Sequence, residues 1–157
     1  MAFYQSKQIV NNEPLVSADG ATEPIAIVGD FTTVTGMVTG EIVEMVGLPA
    51  GYVPVDVLVA YDASAAAAWT ADCGVLSGNY GVTTGTARTQ GNEAFAANTT
   101  GQGAAGLVRA VKPNLAQLAP ADNDRGIGLK IVGTLTTLVV GTNIRMTLLA
   151  RPARNGV

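Results

Sequence analysis

The chain has no histidine. That excludes Ser-His-Asp and Cys-His nucleophilic schemes, histidine zinc sites and the usual near-neutral acid–base group. It has one cysteine, Cys73, so no intrachain disulfide is possible. A lone cysteine reads as a small buried apolar residue. No run of eighteen apolar residues occurs, so no helical membrane span is expected. The opening Met1–Lys7 lacks a basic region followed by an apolar one, so no signal peptide is expected. Charged residues are few, at 13%, and aromatic residues make up 5%. The basic residues are scattered among a net charge of −3, which argues against nucleic acid as a partner. No amphipathic stretch is long enough for a useful helix.

What is present is rich in glycine, alanine, threonine and valine. At 157 residues and 48% hydrophobic, the chain is long enough to bury one core. The clearest element runs from Gly47 to Asp62. Pro49-Ala50-Gly51 is a turn signal. After it Val53, Val55, Val57, Val59 and Tyr61 alternate with Pro54, Asp56, Leu58, Ala60 and Asp62. A strand sends alternate side chains to opposite faces, so the first set predicts one buried apolar stripe.

Other strands follow from the same pattern. Ile25 and Ile27 mark a first core strand over 24–29. From Val34 to Val46 apolar residues occupy both parities, which predicts a bulge near Gly40 or two short strands meeting there. Glu41 and Glu44 in this stretch read as a solvated face rather than a carboxylate pair for catalysis. Ala63–Thr70 is a loop or single turn carrying Trp69, and 73–76 is a short strand. Residues 77–106 form a loop-rich excursion with Phe95 as its large apolar anchor. Leu107–Val111 is a strand, and Asn114–Ala119 a short helical turn between prolines. Asp122-Asn123-Asp124 resembles the start of a calcium loop, yet its twelfth position is Gly133, so an Asx-rich turn is the reading. Ile127, Leu129 and Ile131 alternate, as do Ile144, Met146, Leu148 and Ala150, with a turn at Gly141-Thr142-Asn143.

Glycine-rich runs carry no nucleotide site. Gly101-x-Gly103-x-x-Gly106 matches a dinucleotide fingerprint by letter, but a β-like stretch and Pro113 follow where a crossover helix belongs. No catalytic, cofactor or metal residues are identified.

The fold class predicted is all-β: an antiparallel β-sandwich, jelly-roll-like, with an extended N-terminal arm. The arm is 1–23, the sandwich domain 24–157, and the loop-rich insertion lies around 77–106. Only Ile9-Val10 and Leu15-Val16 are apolar pairs in the arm, too few for a core of its own. Such a segment suits strand addition to another sheet edge. Charge is also split: residues 1–62 carry eight carboxylates against Lys7, while 63–157 carry eight Lys/Arg against four carboxylates. Two readings fit: folding mixes these charges on one surface, or an acidic N-terminal region docks on a basic surface of a neighbouring copy.

Three stretches carry a resemblance. Leu48-Pro-Ala-Gly-Tyr-Val-Pro-Val-Asp-Val57, the opening Met1–Asn12, and Asp124-Arg-Gly-Ile-Gly-Leu129 with the Leu-Leu-Ala-Arg-Pro152 finish resemble small head structural proteins of tailed bacteriophages. Residues 63–120 match nothing of that kind. The resemblance implies a capsid decoration, or cement, protein. Such a protein binds the outer phage head and bridges subunits, often as a trimer. Its partners would be the major capsid protein and copies of itself, with no membrane and no nucleic acid. It would be made in the host cytoplasm and end on the virion surface. The contact residues expected are Phe3, Tyr4, Ile9, Val10, Leu15 and Val16 in the arm, with Arg151 and Arg154 near the C-terminus. Alternatives are a tail, neck or fibre-base protein, or a carbohydrate-binding β-sandwich using Trp69, Asp72 and Tyr80. An enzyme is not expected.

Overall fold

The computed structural model describes residues 3–11, 23–82, 88–134 and 138–153. Among these are nine strands: β1 (Phe3–Gln5), β2 (Ile25–Thr32), β3 (Ile42–Leu48), β4 (Tyr52–Tyr61), β5 (Ala71–Val75), β6 (Phe95–Asn98), β7 (Gly106–Arg109), β8 (Arg125–Ile131) and β9 (Asn143–Pro152). A one-turn helix α1 (Lys7–Val10) follows β1, and a 3-10 turn spans Leu115–Gln117. The strands form two sheets, ordered β1-β3-β8-β5-β6 and β2-β9-β4-β7. All pairings are antiparallel except β1 on β3. The architecture is therefore the antiparallel β-sandwich that the alternating valines and isoleucines require.

The core fills the space between the sheets. From one side come Phe31, Val57, Val59, Tyr61, Ile144, Met146 and Leu148; from the other come Val43, Met45, Cys73, Phe95, Ile127, Leu129 and Ile131. Strand β9 is central. It pairs with β2 along one edge and β4 along the other, and Ile144, Met146, Leu148 and Ala150 all point inward, as their alternation predicts.

Strand β4 departs from simple alternation. A bulge between Pro54 and Asp56 leaves Val55 opposite no residue of β9. Val55 is 46% exposed, while Val57, Val59 and Tyr61 are buried. Before the bulge, Pro54 pairs with inward-facing Ala150. The extra residue shifts parity by one, so the predicted stripe is broken at Val55. A second bulge lies in β3 between Glu44 and Val46 rather than at Gly40. Gly36 and Gly40 instead adopt positive φ in the turns that lead into β3.

Trp69 lies inside, not at a rim. It is fully buried, its ring set edge-on to Tyr61 at 6.2 Å, with Nε1 donating to the Tyr61 hydroxyl at 3.4 Å. Gly101 closes over the same tyrosine. Its φ is +87°, and a Cβ there would lie 2.7 Å from the Tyr61 ring. The 77–106 excursion contains β6, paired with β5, so it is partly sheet. The Gly101–Gly106 run leads directly into strand β7, not into a helix. Residues 135–137 lie outside the described residues, and Leu138 makes an isolated bridge to Ala66.

Candidate assembly surfaces

The N-terminal residues are laid onto the chain's own body. β1 adds a parallel strand to the edge of β3, and the Ser6 N–H then donates to the Glu44 carbonyl at 2.8 Å. Each side chain of β1 has a specific seat. The Arg88 guanidinium lies 5.1 Å from the centre of the Phe3 ring, within cation–π range. The Tyr4 ring packs at 6.0 Å from Phe31. Partial burial, then the nearby Glu41 carboxylate, pushes the Tyr4 phenol above its ordinary pKa. Gln5 donates to Glu44 Oε2 at 3.3 Å and to the Gly81 carbonyl at 3.1 Å.

The two glutamates beneath β1 overturn the solvated-face reading. Glu41 is 4% exposed and Glu44 is fully buried. The bulge in β3 turns Glu44 away from solvent, where it meets Arg88 Nη1 at 2.8 Å. It also accepts from the Gly81 N–H at 3.2 Å. Glu41 accepts from the Val38 N–H at 2.8 Å. Arg88 is itself almost covered, and its Nη2 has no hydrogen-bond partner. This buried ion pair joins β3, the 77–82 turn and the N-terminal strand. Nothing near Arg88 in the sequence signals it, because its partner lies far away in the chain.

The predicted contact residues therefore separate. Phe3, Tyr4 and Ile9 are seated on the chain's own body, with Ile9 6% exposed. Val10 is 65% exposed on the free side of α1, and Arg151 is exposed on β9. Leu15, Val16 and Arg154 lie outside the described residues.

The outer face of the β2-β9-β4-β7 sheet presents a second surface. Val28 and Leu107 are exposed there, with half-buried Leu58, Thr147 and Leu149 between. Two cross-strand ion pairs sit on it. Arg145 holds Asp30 through Nε at 2.7 Å and Nη2 at 3.1 Å, and Arg109 pairs with Asp56. The bond from Arg145 holds the Asp30 carboxyl below its ordinary pKa. A cleft of about 490 Å³ at one end is lined by Lys7, Asp30, Asp62, Asn143 and Arg145. Asp62 accepts from both the backbone and side-chain amides of Asn143, so the polar groups of this cleft are largely committed to one another.

Other sequence candidates resolve as structure. Asp124 accepts from the Ala50 N–H at 2.8 Å, closing a turn. Among the described residues, no group of three His, Cys, Asp or Glu side chains is placed to hold a metal. Trp69 is sealed in the core and Asp72 accepts from the Ala97 N–H, which leaves half-buried Tyr80 as the one accessible aromatic of the expected sugar site. Burial pushes the Cys73 thiol far above its ordinary range.

No family model matches the chain, and no curated protein matches it. Solved structures do. A chain of the "Capsid of Ralstonia phage GP4" superposes with a TM-score of 0.86 at 30% identity, over 98% of this chain and 100% of that one. A chain of the "Cyanophage Pam1 capsid asymmetric unit" superposes with a TM-score of 0.59 at 15% identity, over 90% of this chain and 96% of that one. The second shares the fold.

Proposed function

From the premise that this chain belongs to the family of phage capsid proteins to which the GP4 chain belongs, we propose that it is a decoration protein of the phage head. One observation carries the reading: the match spans all of the GP4 chain and nearly all of this one, at 30% identity. The coarser role, a structural component of the virion, follows directly from that family, and its relatives are structural proteins rather than enzymes.

The decoration role draws support from the surfaces. The strand order β2-β9-β4-β7 over β3-β8-β5-β6 is that of eight strands wound as two Greek keys, so we infer a jelly roll. Such a body is rigid and presents its contacts at fixed angles. Around it lie an N-terminal segment, exposed Val10 and Leu107, and exposed Arg109 and Arg151. A cement protein works by many modest contacts summed over a symmetric shell. In this reading the partners are the major capsid protein and copies of this chain, grouped as trimers on the outer surface. The contact set is Val10, Leu15 and Val16 of the N-terminal segment together with Arg151 and Arg154, while Phe3, Tyr4 and Ile9 hold that segment on the body.

The test removes residues 1–20 and measures binding to purified, undecorated capsids. The expected result is binding weakened at least tenfold while the remaining body stays folded. Full-length protein that ignores capsids and binds tail tubes or neck rings would instead assign it to another part of the virion.

A further inference from the structure

The Glu44 carboxylate gathers donors from three stretches of the chain. Its Oε1 accepts from Arg88 Nη1 at 2.8 Å. Its Oε2 accepts from Gln5 Nε2 at 3.3 Å and from the Gly81 N–H at 3.2 Å. Arg88 reaches further. Its Nε donates to the Ser77 carbonyl at 2.7 Å and its Nη1 to the Val82 carbonyl at 3.4 Å, while its guanidinium faces the Phe3 ring. Gln5 closes the circuit by donating to the Gly81 carbonyl at 3.1 Å. Gly126 makes the room. A Cβ there would lie 2.0 Å from Glu44 Oε1 and 3.1 Å from Arg88 Nη2.

The elements on either side of this pair have little else to hold them. β1 is three half-buried residues at the edge of its sheet, too short to be stable by its own pairing. From Ser77 to Val82 the chain is exposed except for half-buried Tyr80, so apolar burial does not fix that turn. Each element depends on the pair, and the pair depends on both. A carboxylate with no exposed surface needs its donors, and when it is stripped of them water has to enter. If the turn lifts off, Glu44 loses the Gly81 N–H, and Arg88 loses the Ser77 and Val82 carbonyls. If β1 lifts off, Glu44 loses Gln5, and Arg88 loses the cover of Phe3. In either case water reaches a charge pair that was closed to it, and the other element loses its anchor. We infer that β1 and the 77–82 turn, locked together by Glu44 and Arg88, open and close as one unit. A partner that grips either one therefore steadies the other, because coupling between two sites is reciprocal. The coupling does not rest on the capsid reading and is tested without a capsid.

Amide exchange followed by NMR on the purified full chain tests it. The reporters are the N–H of Ser6, which donates to the Glu44 carbonyl at 2.8 Å, and those of Ser77 and Thr89. The Ser77 N–H donates to the Thr89 carbonyl at 2.9 Å, and the Thr89 N–H to Ser77 Oγ at 2.8 Å. In low urea all three are expected to exchange through one opening, easier than that of the β9 amides. Phe3→Ala with Gln5→Ala removes the β1 side chains from the circuit and alters no residue of the turn. It is expected to speed exchange at Ser77 and Thr89 at least about fivefold, by the same factor as at Ser6, with β9 unchanged. Phe3→Leu keeps an apolar contact but no ring for the cation. As the milder variant it should move the same three amides by a smaller common factor. Ser77 and Thr89 left at their native rates would overturn the coupling. So would an equal rise in β9, which marks loosening of the whole molecule, or separate openings for Ser6 and Ser77 in urea.

Discussion

Glu44 and Arg88 meet where burial is nearly complete, at side-chain exposures of 0% and 8%. Burying an ion pair costs desolvation, so its net stabilisation is small, but removing one partner strands the other charge. Arg88→Ala is thus expected to cost roughly 3–5 kcal/mol in urea unfolding. The same change removes the cation over Phe3, so the amides of β1 should lose hydrogen-exchange protection first. Cys73 makes a second residue-scale case. Its fully buried thiol is held protonated by desolvation, with Glu93 and Asp72 adding to the effect. It should react with a thiol reagent only after unfolding, and a fast reaction in native buffer would contradict the packing. Asp30 sets a pH dependence. Its folded pKa lies below the ordinary 3.8, so its contribution is present above that value and is lost as pH falls through the folded pKa. Asp30→Asn should therefore flatten the acid limb of a stability curve relative to the native chain.

Strands are where periodicity meets exception. β9 obeys alternation throughout because both neighbours pair with it and one face is sealed. β4 obeys it only after Asp56, since the bulge inserts one residue and flips what precedes it. The two valines that flank Asp56 should respond oppositely. Val55→Asp is expected to change stability by no more than about 0.5 kcal/mol, as a surface substitution. Val57→Asp places an unpaired carboxylate in the core and should prevent folding, as read by circular dichroism. The turn glycines act at this scale too. Gly101→Ala combines a positive φ with a clash on the Tyr61 ring, and a lowered melting temperature is expected.

At the scale of the molecule, the fold is closed by residues far apart in the chain. β2 pairs with β9, and β3 with β8, so the sheets cannot assemble until both ends are present. A chain ending at Gly141 removes the strand between β2 and β4 and is expected to remain unfolded. Such long-range pairing also predicts folding in milliseconds to seconds rather than microseconds. Function belongs to this scale as well. In a family of capsid proteins the useful properties are a stiff body and the placement of its surfaces.

The strands and the single core were written in the sequence, because alternation and composition are local properties that each residue carries by itself. Resemblance in three stretches pointed to the phage head for the same reason: short motifs survive as strings of letters. The tertiary structure decided the rest. Glu44 became an interior group where a bulge and a distant arginine met it, and Glu41 where the Val38 N–H and Tyr4 closed on it. Val55 left the core because a partner strand imposed its register. Trp69 went inside, where its ring meets Tyr61 edge-on and its Nε1 donates to the Tyr61 hydroxyl. Each outcome depends on a contact between residues that no local pattern connects, and such contacts exist only once the chain has folded.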